Sequence, residues 1–353
     1  MRRVSRIAVA GAATTALALA LSACGGTSTD SAGSSSKAGD AKGVALAYDV
    51  GGKGDQSFND AAFAGMQKAE KELKVSGKDV EPSAGESTAD KVQRLESLAQ
   101  AGYNPVIGVG FVYADAVKQA AAKYKNVTFG IIDDETIKAD NVADLVFSEQ
   151  EGSYLAGVAA AKTTKTNTVG FIGGVETPLI KKFQAGYEQG VKDASGGKVK
   201  VKSQFLTQPP NFDGFSKPDL GKAAAQGQLD AGADVIYSAA GLAGQGSIEA
   251  AATAGKWAIG VDSDQYNQSA LAKYKDHILT SVTKSVSDAV FNLAKSVQDG
   301  KPETGVVRAD LASNGVALAT SNPAFTKMTA VQAAVEQAKK DIASGKITVK
   351  TTP

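Results

Sequence analysis

The fold is decided by residues 44–73, which read VALAYDVGGKGDQSFNDAAFAGMQKAEKEL. The run from Val44 to Tyr48 has the density of apolar residues that is typical of a buried parallel strand. Three glycines follow, and they let the backbone turn tightly and approach a ligand closely. Apolar residues then recur at helical spacing, at Ala62, Met66, Ala69 and Leu73. The stretch therefore predicts a strand, a binding loop and an amphipathic helix.

Polar side chains gather where this strand ends and the helix begins. Ser57 and Asp60 have the S-x-x-D spacing of a capping box, which predicts the start of the helix. Asp49, Asp55 and Asn59 lie with them at the carboxyl end of the strand, where open α/β sheets bind ligands. The loop lacks the glycine pattern that wraps a nucleotide phosphate, so we do not expect a nucleotide cradle. From this stretch alone, a ligand site and an ordinary turn are equally open.

The amino terminus carries an export signal. Three arginines precede an apolar run from Ile7 to Leu21, and the segment ends in Leu-Ser-Ala-Cys, which is the pattern of a lipobox. We therefore expect residues 1–23 to be removed as a signal peptide and Cys24, the only cysteine, to be lipidated. Residues 24–43 are rich in glycine and serine, which predicts a flexible tether. The mature protein would be anchored by lipid at the extracytoplasmic face of the cell membrane.

The charge balance argues against a nucleic-acid partner. The whole chain has 38 basic and 37 acidic residues, and loss of the three arginines of the signal leaves 35 basic residues, a balance of −2. Such a balance creates no strong positive field for a phosphate backbone. Beyond the signal, no apolar run reaches the length of a membrane-spanning helix. The predicted contact with the membrane is therefore the lipid alone.

Strand and helix patterns alternate through the rest of the chain. A strand from Thr168 to Ile172, two glycines and a helix that begins at Thr177 repeat the plan of residues 44–73. A length of 353 residues allows two domains, each with its own core. Alternating strands and helices favour parallel sheets. We therefore predict the α/β class, with two doubly wound parallel-sheet lobes that face each other across a ligand cleft.

The boundaries of the two lobes are predicted on the ground that the chain must leave and re-enter each lobe. Lobe 1 would comprise residues 44–148 and about 265–303, and lobe 2 residues 149–264 and about 304–353. The chain would then cross between the lobes three times, near 147–149, near 264–267 and near 300–304.

Four motifs occur in the order found in one protein family. They are YDVGGKGDQSFND, GSYLAGVAAA, VGFIGG with KKFQAGYEQG, and IGVDSDQ with LTSVTKSV. In these motifs, and over nearly all of the mature chain, the sequence resembles the basic membrane protein family. The resemblance implies the type I periplasmic-binding-protein fold and a lipid-anchored receptor that binds purine nucleosides for an ABC permease. We therefore expect a monomer with no enzymatic activity, no cofactor and no metal.

The resemblance also implies which charged and polar groups bind the ligand. The ribose-binding and base-binding acids of the family match Asp49 and Asp133, with Asn59 beside them. A further acid and a base match Asp262 and Lys284. From the pattern alone, an acid after an apolar strand caps the next helix as often as it binds a ligand. A lysine before a helix is more often a solvated charge.

The resemblance implies an apolar part of the site as well. The two base-stacking aromatics of the family match Phe58 and Phe183, and the glycine that faces the ligand from lobe 2 matches Gly241. From helical spacing alone, Phe183 belongs more often to a core stripe with Tyr187 and Val191 than to a ligand site. A flat base fits between two aromatic faces, while carboxylates accept hydrogen bonds from ribose hydroxyls and repel phosphate. These residue types therefore favour nucleosides over nucleotides.

Two other functions are open at this point. A receptor of the same fold could bind a sugar or a signalling molecule, because the fold does not fix the ligand. A nucleoside hydrolase has less support, because the sole histidine, His277, has no cysteine partner and the sequence lacks a G-x-S-x-G elbow. Release of free base from inosine would distinguish a hydrolase from a receptor.

Overall fold

The computed structural model describes residues 42–353 of the chain. The predicted signal peptide, the predicted lipidation site at Cys24 and most of the predicted tether lie outside these residues. The strands in the described part are β1 (Gly43–Ala47), β2 (Ser76–Val80), β3 (Val106–Gly108), β4 (Phe129–Ile132), β5 (Val142–Phe147), β6 (Thr168–Val175), β7 (Lys200–Thr207), β8 (Val235–Ala239), β9 (Trp257–Asp262), β10 (Ile278–Lys284), β11 (Gly305–Ala309) and β12 (Val316–Leu318).

Helices alternate with these strands along the chain. They are α1 (Phe58–Leu73), α2 (Thr88–Gln100), α3 (Ala114–Lys123), α4 (Glu149–Thr163), α5 (Pro178–Ser195), α6 (Pro218–Asp230), α7 (Ala243–Thr253), α8 (Val286–Gln298), α9 (Pro323–Thr326) and α10 (Thr329–Ala343). Short 3-10 turns at Phe111–Tyr113 and Asp213–Phe215 follow β3 and β7. Within residues 42–353, none of these helices is both long enough and apolar enough to cross a membrane.

The strands form two six-stranded sheets. The order in the first sheet is β2-β1-β3-β4-β5-β11, and all of its pairs are parallel. The order in the second sheet is β7-β6-β8-β9-β10-β12, and there the edge pair β10 and β12 is antiparallel. We refer to the first sheet with its helices as lobe 1 and to the second as lobe 2. The predicted α/β class with two parallel-sheet lobes is confirmed.

The strand order reverses at one point in each sheet. In lobe 1 the chain moves from β1 outward to β2 and then returns to β3 on the other side of β1. In lobe 2 it makes the same reversal around β6, with β7 on one side and β8 on the other. Helices on opposite faces leave a crevice at such a point, beyond the carboxyl ends of the strands. The fold therefore provides one crevice in each lobe.

The predicted lobe boundaries are wrong in the last third of the chain. Residues 278–284 form β10, which pairs with β9 in lobe 2, although the sequence placed this segment in lobe 1. Residues 305–309 form β11, which pairs with β5 in lobe 1, although the sequence placed them in lobe 2. The polar 3-10 turns between β9 and β10 look like a linker in the sequence. Strand pairing, however, joins residues that are far apart in the sequence. The second and third crossings between the lobes therefore lie at 284–286 and 309–316.

The start of α1 also differs from the prediction. Ser57 does not cap the helix with its side chain, so the predicted capping box is wrong. Its hydroxyl instead donates to Asp262 Oδ2 at 2.7 Å. The Asp55 carboxylate accepts the backbone N–H groups of Ser57, Asn59 and Asp60 at distances between 2.8 and 3.1 Å. A carboxylate at this place satisfies free N–H groups and suits the positive end of the helix.

Candidate ligand-binding cleft

A cavity lies between the two lobes. The residues that line it come from the ends of strands and the starts of helices in both lobes. They include all eight positions expected from the sequence, namely Asp49, Phe58, Asn59, Asp133, Phe183, Gly241, Asp262 and Lys284.

The glycine loop is held in shape by Asn59 and Asp55. Asn59 Oδ1 accepts the backbone N–H of Asp49 at 3.1 Å, and its Nδ2 donates to Asp55 Oδ2 at 3.1 Å. Asn59 thereby ties the end of β1 to the start of α1. Burial raises the pKa of the Asp55 carboxyl to about 7, while the backbone N–H groups that it accepts act in the opposite direction. Asp55 also lines the cavity, as its place at the end of the strand suggested, although it was not among the eight residues assigned by the family resemblance.

Two glycines bring the backbone close to groups in the cavity. Gly110 follows β3 with φ at +96°, and a Cβ on it would lie 2.0 Å from Asp49 Oδ2. Gly241 follows β8 with φ at +52°, and a Cβ on it would lie 3.3 Å from the carbonyl oxygen of Phe215. A side chain at either position would adopt a strained backbone conformation. Gly110 in particular makes room for the Asp49 carboxylate.

Asp49 presents its carboxylate at the carboxyl end of β1. The backbone N–H of Val50 donates to Asp49 Oδ1 at 2.6 Å. Burial raises the pKa of the Asp49 carboxyl to about 7, and the hydrogen bond from Val50 opposes this shift. An acid with such a pKa is present in both protonation states near neutral pH. It can accept a hydrogen bond in one state and donate one in the other.

Lys284 is the last residue of β10 in lobe 2, and its amine reaches Asp133 in lobe 1. Both carboxylate oxygens of Asp133 lie 2.7 Å from Lys284 Nζ. Only 1% of the Lys284 side chain and 6% of the Asp133 side chain are exposed. Burial lowers the pKa of the Lys284 amine, but the nearby carboxylates, that of Asp133 above all, outweigh burial and raise it. The ammonium ion therefore joins the two lobes through a buried ion pair.

Two of the acids in the cavity share an unusual backbone conformation. Asp133 directly follows β4 with φ at +68°, and Asp262 ends β9 with φ at +62°. This left-handed region is unfavourable for residues with a side chain and is found often at functional sites. Burial raises the pKa of the Asp262 carboxyl, whereas Lys284 and the hydroxyl of Ser57 act to lower it.

Glu149 lies behind Lys284 and was not among the expected residues. It is 1% exposed and begins α4, directly after the first crossing between the lobes. Its Oε1 is 3.7 Å from Lys284 Nζ, and its Oε2 is 3.8 Å from Lys182 Nζ. Burial raises the pKa of the Glu149 carboxyl to about 7, and the Lys284 charge opposes this shift. An acid shortly after an apolar strand was the signal that could have revealed it, as it did for Asp133.

Hydrogen bonds hold the glycine loop of lobe 1 against lobe 2. The hydroxyl of Ser57 donates to Asp262, and the hydroxyl of Ser263 donates to the carbonyl oxygen of Ser57 at 2.8 Å. Gln265 Nε2 donates to the carbonyl oxygen of Gln56 at 3.0 Å. Together with the ion pair between Lys284 and Asp133, these contacts join the two lobes and close the cleft.

Aromatic rings from both lobes line the cavity. Lys284 Nζ lies 5.0 Å from the ring centroid of Phe58 and 5.8 Å from that of Phe183. Phe183 is only 2% exposed and also packs in the hydrophobic core, so the core and cavity interpretations of this residue both hold. Phe111 and Phe215 line the cavity as well and were missed in the sequence. Each directly follows a glycine on an irregular turn, and that pattern alone only weakly predicts a residue in a ligand site.

Among the described residues, the cavity lining contains no histidine and no cluster of metal ligands. His277 is absent from its lining, and His277 Nδ1 lies 3.2 Å from the carbonyl oxygen of Lys256. Across residues 42–353, no three side chains of His, Cys, Asp or Glu are grouped as metal ligands. What the arrangement offers is apolar ring faces, carboxylate acceptors and one ammonium donor.

Comparisons with known proteins are consistent with a binding cleft lined by aromatic rings, carboxylates and one ammonium group. A family of ABC transporter substrate-binding proteins described as PnrA-like, or Bmp, matches residues 42–351. The chain belongs to this family. A Bmp-family relative, the ABC transporter nucleoside-binding protein BmpA of Lactococcus lactis subsp. cremoris, is 35% identical over 96% of this chain and 97% of its own length. The chain is thus a substrate-binding protein of an ABC transporter.

Two further proteins are similar to this chain. An uncharacterized lipoprotein of Pyrococcus abyssi is 34% identical over 77% of this chain and 68% of its own length. The crystal structure of a solute-binding protein of an ABC transporter system from Aeropyrum pernix K1 is 28% identical and superimposes with a TM-score of 0.76. The superposition covers 87% of this chain and 93% of that one.

Replacing Lys284 by methionine is expected to destabilise the protein in a pH-dependent way. The variant leaves Asp133, Glu149 and Asp262 without the buried ammonium ion, with Lys182 as the remaining cation beside Glu149. Removing one member of a buried ion pair costs roughly 3–5 kcal/mol. Without the ammonium, burial raises the pKa values of the Glu149 and Asp262 carboxyls further. The folded variant then takes up protons as the pH falls, so the loss is larger at pH 8 than at pH 5.

Urea unfolding at pH 8 and pH 5 measures this effect. Lys295→Met is the matched control, because Lys295 forms an exposed pair with Asp299 on α8. We expect the control to change the free energy of unfolding by less than about 0.5 kcal/mol at both pH values. Equal losses for the two variants at pH 8 would contradict the role assigned to Lys284.

Proposed function

We propose that the cleft binds a nucleoside, with a purine nucleoside as the preferred ligand, and delivers it to an ABC permease. The observation that carries the proposal is the pairing of aromatic rings with buried carboxylates in one cavity closed by both lobes. Such a site recognises a molecule with a flat apolar part and several hydroxyl groups. The nucleoside-binding relative that aligns over nearly the whole chain gives independent support.

The two parts of a nucleoside match two kinds of lining group. Phe58 from lobe 1 and Phe183 from lobe 2 offer ring faces to a base, and Phe215 is a further ring of lobe 2. The carboxylates of Asp133 and Asp262 accept hydrogen bonds from sugar hydroxyls. Several carboxylates and one ammonium ion leave the described lining acidic, so it disfavours a phosphate group. Binding without chemical conversion is the role that this inventory supports.

Calorimetry with nucleosides and nucleotides tests the ligand class. Adenosine or inosine should bind, and the corresponding 5′-monophosphate should bind roughly a hundredfold more weakly, because its charge would face buried carboxylates. D-galactose and D-ribose serve as controls for a sugar receptor. Equal affinity for a nucleoside and its monophosphate would contradict the proposal, and tight binding of a free sugar without nucleoside binding would replace it.

Truncation of the two expected rings tests how the base is held. Stacking on a base contributes roughly 1–3 kcal/mol per ring, so Phe58→Ala should weaken nucleoside binding by about tenfold to a hundredfold. Phe183→Ala should weaken binding by a similar factor. It should also lower the free energy of unfolding by up to roughly 3–5 kcal/mol, because this ring packs in the core too.

Phe215→Ala is the comparison for lobe 2, because Phe215 lines the cavity but is only half-buried. Affinities and ligand-free melting temperatures should be measured for all three variants. Normal affinity in folded Phe183→Ala, together with weak binding by Phe215→Ala, would show that Phe215 is the second stacking ring.

We further propose that a lipid on Cys24 holds the receptor at the extracytoplasmic face of the cell membrane. The support is the lipobox in the sequence and a relative named as a lipoprotein. Cys24→Ser should remove the lipid, since the thiol is the attachment point. Mass spectrometry of the protein purified from membranes checks this, and an acylated Cys24→Ser protein would contradict it.

A further inference from the structure

Three aromatic side chains meet across the gap between the lobes. Phe111 belongs to lobe 1, whereas Phe212 and Phe215 belong to lobe 2. The ring centroids of Phe111 and Phe212 are 6.2 Å apart, with an angle of 56° between the ring planes. Those of Phe111 and Phe215 are 6.5 Å apart, at 73°. Both distances fall within the range of about 4.5–7 Å over which aromatic pairs attract each other.

The three rings differ in their relation to the cavity. Phe111 and Phe215 line it, and Phe212 does not. All three are half-buried. Phe212 therefore touches the other lobe without facing the ligand, and its contribution to closure can be separated from any contact with ligand.

The turns that carry these rings are anchored to their own lobes. The Phe111 turn is fixed by Gly110, whose backbone lies against the Asp49 carboxylate. On the other side, the Phe215 ring rests on Gly174, where a Cβ would lie 2.4 Å from the ring. The backbone N–H of Gly214 donates to Thr207 Oγ1 at 3.2 Å. The rings are thus presented by fixed turns, and opening the cleft must pull them apart.

The contact among these aromatic rings differs in kind from the other contacts between the lobes. Ser57, Gln265 and Lys284 join the lobes through hydrogen bonds or an ion pair, and water can replace such partners when the cleft opens. Separated aromatic rings gain no such replacement and expose apolar surface instead. The ring contact therefore favours the closed cleft over the open one.

We propose that Phe111 and Phe212 form an apolar latch that holds the cleft closed and sets the rate at which bound ligand leaves. The part of the proposal that concerns ligand release rests on the proposed nucleoside-binding function. The part that concerns closure does not, because it concerns only the contact between the two rings. An aromatic pair of this kind is worth about a two- to tenfold change in an equilibrium or rate constant.

Hydrogen exchange tests closure in the ligand-free protein. The variant is Phe212→Ala in the full chain, and the readout is exchange at the backbone amides of Tyr113 and Ala114 in the opposite lobe. These amides donate to the carbonyl oxygens of Gly110 and Phe111. We expect their exchange to become about two- to tenfold faster. Phe291→Ala is the matched control, a half-buried ring on α8 of lobe 1 that does not line the cavity.

Stopped-flow dissociation of inosine tests the effect on release. Phe111→Ala and Phe212→Ala should each speed dissociation by about two- to tenfold, and the double variant should be no faster than the faster single variant, because both remove the same contact. Association rates should change less. Melting temperatures of the ligand-free variants show that each one is folded, and Phe212→Leu provides a milder variant from the same position.

The outcomes separate the latch from simpler explanations. Faster dissociation for Phe111→Ala alone, with normal exchange and dissociation for Phe212→Ala, would make Phe111 a ligand contact and overturn the latch. Unchanged exchange in Phe212→Ala relative to Phe291→Ala would also overturn it. If the unmodified protein binds no nucleoside, the proposed function fails, and the exchange experiment still decides whether the latch exists.

Discussion

A buried ammonium ion shared between carboxylates of both lobes is the interaction on which the cleft depends. Lys284 meets Asp133 across the lobes and has Glu149 behind it in its own lobe. An unpaired charge at this depth would cost several kcal/mol, so the pair fixes how the lobes meet. Opening of the cleft would separate Lys284 from Asp133 and leave Glu149 in place. The ammonium ion then keeps a counter-charge when the cleft opens.

The site could be predicted from the sequence because its groups follow local patterns. Asp49, Asp133 and Asp262 each stand at the carboxyl end of an apolar strand, and parallel strands bring such ends together. Glycines and helical spacing marked the loop and helix that carry Phe58. The resemblance to the basic membrane protein family selected these positions from many similar ones. The eight expected residues therefore line one cavity in the described structure.

The features that were missed depend on contacts between distant parts of the chain. The capping box failed because Ser57 has a partner in Asp262, some two hundred residues away. The lobe boundaries failed because β10 and β11 are assigned by their strand partners, which the local sequence does not encode. Phe111 and Phe215 stand on irregular turns without periodicity, so no pattern marked them as cavity residues. Local sequence patterns predicted the strands and helices, but the lobe to which each strand belongs depends on tertiary contacts.

A crystal structure of the protein with bound inosine tests the central claim most directly. The account predicts that the base lies against the Phe58 ring and that a ribose hydroxyl lies within about 3 Å of Lys284 Nζ and of a carboxylate of Asp133 or Asp262. Electron density for inosine outside the cleft would contradict it. So would a nucleoside in the cleft that makes no polar contact with Lys284 or these two acids.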